Sequence, residues 1–262
     1  MSQTMEDLLV ETQGKILLIT LNRPEVLNAI RAITVKELQT VFERFAEDPQ
    51  LQVLVLTGVG DRAFSAGGDI KSMRDMTKKE AAEFAYQAHR LIETIEATPK
   101  PVLAAVNGIA LGAGFDLALA CDLTIASERA RFGEPPPGIG ITTPFGGTQR
   151  LPRIIGLKNT KYLFFTGEFI NATRAYQMGL VSKVVPHDQL LSEAHRIADQ
   201  ILSRAPIALA YTKQLINASM KEHISKGDRM EQELYAKCFE TLDQKEGMNA
   251  FFEKRKPKFQ GN

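Results

Sequence analysis

The chain has 262 residues, enough for one large domain or two small ones, and 44% of them are apolar, as in an ordinary globular protein. Its 32 Lys and Arg against 31 Asp and Glu provide no one-signed field of the kind that nucleic acid or an anionic membrane selects, so neither partner is expected. No apolar run approaches the roughly 20 residues of a spanning helix, and two distant cysteines with four scattered histidines offer neither a disulfide framework nor a metal-ligand spacing.

The first ten residues, MSQTMEDLLV, carry acids where a targeting leader would carry basic and apolar residues, so a cytoplasmic protein is expected. LLVETQGKILLITLN then predicts two strands around a turn at Gly14. ITVKELQTVFERFAED has helical spacing, with Thr34 as the expected N-cap and Glu37 three residues on. LQVLVLTG is a short continuous apolar run, as in a strand buried on both faces. A helix is expected over 78–98, followed by a second buried strand, PVLAAVNG. GAGFDLALACD is a glycine turn opening a helix, and LTIASE is a further short strand. Alternating strands and helices imply crossover units and a parallel sheet, an α/β class. Beyond about residue 185 the pattern becomes helical, in DQLLSEAHRIADQILSRA, IALAYTKQLINASM and RMEQELYAKCFETLD. We therefore divide the chain into an α/β core, 1–195, and a C-terminal helical region, 196–262, suited to oligomerisation.

Two loops stand at the carboxyl ends of expected parallel strands, where open α/β sheets bind ligands. One is AFSAGGDIKSM (63–73); the other lies in NGIALGAGFDLALACD (107–122). Glycine and alanine leave backbone N–H groups uncovered, and two such donors aimed at one point stabilise a developing oxyanion. The alternative is that small residues merely permit tight strand-to-helix turns. Neither loop is a phosphate loop or a dinucleotide fingerprint, and no GxSxG elbow occurs.

With these loops, LNRPEVLNAI, FSAGGDIKSM, KPVLAAVNGIALGAGFDLALACDLTIASERARFG, GGTQRLPRIIG and TGEFINATRAYQMGLVSKVV make the chain similar to the crotonase superfamily, the enoyl-CoA hydratase/isomerase family, across residues 8–255. The resemblance implies a crotonase-like spiral of βαβ units with a C-terminal helical trimerisation region, assembled as a homotrimer or a hexamer of two stacked trimers. It implies an acyl-CoA thioester as substrate, with coenzyme A part of that substrate and no separate cofactor or metal. It assigns the enolate-stabilising N–H donors to Gly68 and Ala113 and runs Ala66, Gly68, Asp69, Ile70 and Lys71 along the CoA moiety. Lys254 is placed near a CoA phosphate.

Hydratases of this family resemble one another in two glutamates, in patterns like GGGxEL and FGxPE. Here the first position is Asp116, in GAGFDL, and the second is Pro136, in FGEPPPGIG, with no gap between them. Aspartate sets its carboxylate back by roughly 1.5 Å, and a displacement near 1 Å can cost about a hundredfold in rate. Asp116 also falls in the first turn of its helix, where the dipole favours the ionised form; it is either an acid/base group or simply a helix-start acid. Pro136 removes the second acid and leaves a stiff, donor-free wall toward the acyl group. Glu134, two residues earlier, is one substitute, although an acid on an extended proline-rich segment is expected to be solvated. His89 is another, at a position resembling the active-site histidine of the 4-chlorobenzoyl-CoA dehalogenase branch; otherwise it is a helix-face residue satisfied by its neighbours. That branch's nucleophilic aspartate is replaced here by Pro144, which argues against dehalogenation. Arg150 is expected to support the fold or subunit contacts, and Cys121 to lie in the core. The sequence thus points to an enoyl-CoA hydratase- or isomerase-like enzyme with Asp116 as its acid/base group. Decarboxylation of a malonyl-type acyl-CoA and a catalytically silent acyl-CoA-binding subunit are the alternatives.

Overall fold

The computed structural model describes residues 2–262. Strands β1 (Ser2–Thr4), β2 (Leu8–Gln13) and β3 (Ile16–Leu21) form an antiparallel meander, with Gly14 at φ +61° in the expected hairpin turn. Helix α1 (Ala32–Glu47) leads to β4 (Val53–Gly58), β5 (Ala63–Ser65), the one-turn α2 (Ile70–Met73) and α3 (Lys78–Ala97). Next come β6 (Val102–Val106), β7 (Ile109–Leu111), α4 (Ala113–Ala120), β8 (Leu123–Ser127) and β9 (Arg131–Gly133). Helix α5 (Gly147–Thr166), β10 (Ile170–Asn171), α6 (Ala172–Gln177) and β11 (Lys183–Val185) follow. Four helices close the chain: α7 (Leu190–Leu202), α8 (Pro206–Ser219), α9 (Ile224–Cys238) and α10 (Leu242–Phe252).

Among the described residues, seven strands pair in the order β1-β2-β3-β4-β6-β8-β11, and four shorter ones pair as β10-β9-β7-β5. Each turn of the chain gives one strand to each sheet: β4 then β5, β6 then β7, β8 then β9. The outcome is the α/β spiral that the sequence predicts. From β3 to β11 the large sheet is parallel. Both its faces are covered, which is why β4 is apolar throughout. Leu54 and Leu56 face the core beneath α1, α3 and α4, while Val53 and Val55 face Leu190, Ala194 and Ala198 of α7. Each such side chain contributes about 1.5–3 kcal/mol by leaving water.

The structure departs from the sequence-based expectations in detail. Helix α1 begins at Ala32, so Thr34 is not its N-cap. The buried Asp7 captures that threonine: Thr34 Oγ1 donates to Asp7 Oδ2 at 2.5 Å and accepts from Arg31 N at 3.2 Å. Glu37 instead accepts the N–H groups of Glu6 and Asp7. The third C-terminal helical pattern is two helices, because Thr241 breaks away to cap α10 by accepting from Gln244 N at 3.1 Å. The small sheet was not anticipated, since three-residue strands carry no readable period. The division at 195/196 falls inside α7, which packs on the large sheet; α8 is the first helix beyond that layer.

The start of α4 is wedged against β5. A Cβ on Gly114 would lie 2.5 Å from Ser65 O and 2.6 Å from Ser65 Cβ. Gly114→Ala is therefore expected to lower stability by about 1–3 kcal/mol through overpacking. Chemical denaturation measures this, and an unchanged midpoint would show that the two elements can separate freely.

Candidate active site

The glycine loops lie side by side at the ends of β5 and β7. Gly67 has φ +101°, and a Cβ there would meet Leu111 O at 2.7 Å, so only glycine permits this approach. Ile30 N donates to Gly67 O at 2.7 Å, and Asp69 N donates to Ile30 O at 2.8 Å. These bonds fix the segment and leave the Gly68 N–H on its opposite edge, without an acceptor among the described residues. In the second loop Gly112 has φ +47° and donates its N–H to Gly133 O at 3.0 Å. Ala113 is the first residue of α4, so its N–H has no partner within the helix and donates to nothing else described. Both free donors belong to residues lining one cavity of about 190 Å³.

The cavity wall is otherwise apolar. Met73, Phe84, Pro135, Pro136, Pro144 and Phe145 contribute; among the described residues, Thr142 and Thr143 supply its only hydroxyls and no ionisable side chain lines it. Phe84 of α3 meets Phe145 edge-to-face at 5.9 Å, which stiffens one end. Pro136 packs close to the backbone of Gly112, where a Cβ would come within 3.3 Å of its ring.

Behind this wall lie two carboxyls, Asp116 and Glu134, each 0% exposed. Asp116 projects from the first turn of α4 as the sequence predicts. Glu134 overturns its expectation of a solvated loop acid. Side chains alternate along β9, and Phe132 packs against Phe115 of α4 at 5.4 Å; Glu134, two residues on, continues toward the same helix before the prolines turn the chain. The two carboxyls face each other within hydrogen-bonding reach. Both oxygens of Glu134, and Oδ1 of Asp116, lack any ordinary donor. Asp116 Oδ2 accepts from the hydroxyl of Thr143, which in turn accepts from Phe145 N at 3.3 Å.

Two buried carboxyls in contact cannot both be ionised, so they share a proton. Burial pushes Asp116 up to about 6, against the pull of the Thr143 hydroxyl, Glu134, the Gly147 N–H and the Arg150 charge. Burial and the Asp116 charge push Glu134 well above the usual carboxyl range. Both carboxyls thus hold a proton more tightly than an exposed acid, Glu134 under the added influence of the Asp116 charge. The helix start alone would lower Asp116; desolvation reverses that expectation.

The other anticipated residues are dispersed. His89 is exposed on α3 beside Gly146, outside the cavity lining, because α3 turns Phe84, Ala88, Leu91 and Ile92 inward. Ala66 and Ile70 line the cavity, and Lys71 is exposed at its rim on α2. The Asp69 carboxylate is engaged by Arg23 at 2.9 Å and caps α2 through Ser72 N. Lys254 is exposed just beyond α10. Arg150 bonds Glu96 of α3 at 2.7 Å, a role in the fold, and Cys121 is buried. Thr143 was missed: a threonine in ITTPFGG carries no motif, and only the position of Asp116 behind it reveals its place.

A family model described as enoyl-CoA hydratase/isomerase matches residues 11–262. The chain is 43% identical to a short-chain-enoyl-CoA hydratase of Clostridium acetobutylicum, covering 96% of this chain and 97% of that protein. It is equally 43% identical to a crotonyl-CoA hydratase of Syntrophomonas wolfei, over 97% and 98% of the two chains. The crystal structure of an enoyl-CoA hydratase from Bacillus anthracis matches with a TM-score of 0.95 at 37% identity, over 98% of this chain and 100% of that one.

The raised titration of Asp116 has a consequence for stability. An unfolded Asp ionises near its model value of 3.8, whereas Asp116 holds its proton to about 6 in the folded chain. The folded state therefore binds more protons across that interval, and the stability this contributes is lost as pH rises through about 6. Asp116→Asn is expected to flatten this fall. Thermal midpoints of both proteins between about pH 4 and 8 give the slopes, and equal slopes would contradict the raised titration of Asp116.

Proposed function

The chain belongs to the enoyl-CoA hydratase/isomerase family, and from that premise we propose that it is an acyl-CoA enzyme that stabilises a thioester enolate and migrates a double bond by moving one proton. The carrying observation is the pair of acceptor-free N–H groups, on Gly68 and Ala113, at a cavity with a single proton-sharing carboxyl pair behind it. In this reading the thioester oxygen accepts from both N–H groups. Negative charge that develops there on loss of a proton from carbon is stabilised by fixed donors in an apolar site. Asp116, as carboxylate, is the ultimate base, and its conjugate acid returns the proton to the other end of the allyl system.

Hydration asks for more. One group must activate water while another protonates carbon, and both must reach the reacting atoms. The two carboxyls here are engaged with each other, Pro136 stands where a second acid would face the substrate, and the lining has no ionisable side chain. The hydratase names of the relatives describe those proteins. The apolar wall also favours a second reading, loss of carbon dioxide from a malonyl-type acyl-CoA, since a desolvated carboxylate is destabilised and the same donors hold the enolate.

The exposed Lys71 and Lys254 suit contacts to the CoA phosphates. Exposed apolar side chains on the last two helices, including Tyr235, Phe251 and Phe252, suit a trimer or hexamer.

Turnover of a 3-enoyl-CoA, crotonyl-CoA and methylmalonyl-CoA tests the reading. Isomerisation is expected to exceed hydration, and Asp116→Asn to lower it by about 10²–10⁴. Dominant hydration or decarboxylation would refute isomerisation, and acyl-CoA binding without turnover of any of the three would make the chain a silent binding subunit.

A further inference from the structure

Asp116 has no exposed surface and does not line the cavity, so no substrate carbon can touch it in this conformation. The group between them is Thr143. Its residue lines the cavity, it is 7% exposed, and its hydroxyl donates to Asp116 Oδ2. A threonine oxygen has two lone pairs. Phe145 N occupies one, at 3.3 Å, which fixes the oxygen and leaves the other free. Thr142, the neighbouring hydroxyl, bonds neither carboxyl among the described residues.

We propose that Thr143 is a catalytic residue, the hydroxyl through which the buried carboxyl pair exchanges a proton with the acyl chain. The inference rests on the enolate-forming reading above. In the forward step the C–H bond breaks and its electron pair enters the enolate, whose oxygen accepts from the Gly68 and Ala113 N–H groups. The released proton bonds to Thr143 Oγ1 as that oxygen's own proton passes to Asp116 Oδ2. One C–H and one O–H bond break and two O–H bonds form, with no change of oxidation state and no free alkoxide. The reverse relay delivers a proton to carbon and restores the Asp116 carboxylate. Glu134, buried beside Asp116, is a positioning residue that helps hold the carboxylate in place.

The test is exchange of the α-protons of butyryl-CoA with deuterium oxide, followed by NMR, which reads proton abstraction apart from any complete reaction. Thr143→Val keeps the shape and removes the hydroxyl. It is expected to slow exchange by about 10²–10⁴ at every pH while butyryl-CoA binding is retained, and Thr143→Ser is expected to restore most of the rate. If the valine protein does not fold, as judged by circular dichroism, Thr143→Ala against Thr143→Ser asks the same question. Exchange at the wild-type rate in Thr143→Val, with Asp116→Asn inactive, would overturn the relay and leave the enolate reading standing. Recovery of the valine variant to the wild-type rate at higher pH would also overturn it, since the hydroxyl would then only tune the acidity of Asp116. A wild-type protein that binds butyryl-CoA and exchanges no proton would remove the relay together with the reading beneath it.

Discussion

The site depends on one close approach, that of the two glycine loops. Gly67 lies against the Leu111 carbonyl, and Gly114 lies against Ser65, at distances that leave no room for a side chain on either glycine. This contact brings the edge of one loop and the first turn of α4 to a common point. The Gly68 and Ala113 N–H groups are left without acceptors because the bonds that would satisfy them are geometrically displaced: Ile30 takes up the groups flanking Gly68, and Ala113 stands where a helix has no preceding turn. Two unsatisfied donors in an apolar cavity carry a desolvation cost. An acceptor oxygen placed between them would relieve it, and this is the feature on which the proposed enolate chemistry rests.

That wedge also sets the acid chemistry. Pushing α4 into the interior takes Asp116 with it and removes its carboxyl from water. Glu134 arrives from β9 on the same side, guided by the alternation that packs Phe132 on Phe115. Glu134 therefore lies buried behind the wall, and Pro135 and Pro136 line the cavity in front. The two buried carboxyls face each other there and hold a proton between them.

Much of the scaffold was legible from the sequence. Continuous apolar runs marked β4 and β6 because both faces of the large sheet are covered, and Gly14 marked the hairpin because that turn needs positive φ. The glycine-alanine loops marked strand ends with uncovered N–H groups, and it was the family resemblance that singled out Gly68 and Ala113 among them. What was not legible was three-dimensional in origin. Glu134 looked like a loop acid because composition near prolines outweighs a two-residue alternation with Phe132. Thr34 looked like a helix cap because Asp7, far back in sequence, could not be seen to claim it. His89 suggested chemistry by position along α3, whereas its angle around the helix turns it outward. Thr143 gave no signal at all, since a hydroxyl acquires meaning only from the buried carboxylate it touches.

The central claim is that the Gly68 and Ala113 N–H groups together polarise a thioester carbonyl. Isotope-edited infrared spectroscopy of a saturated acyl-CoA carrying carbon-13 at that carbonyl reads this directly. On binding, two hydrogen bonds should draw the carbonyl stretch to lower frequency than in free acyl-CoA in water, with a narrower band from the fixed geometry. A bound thioester whose stretch stays at the solution frequency, or moves higher as in an apolar solvent, would contradict the claim.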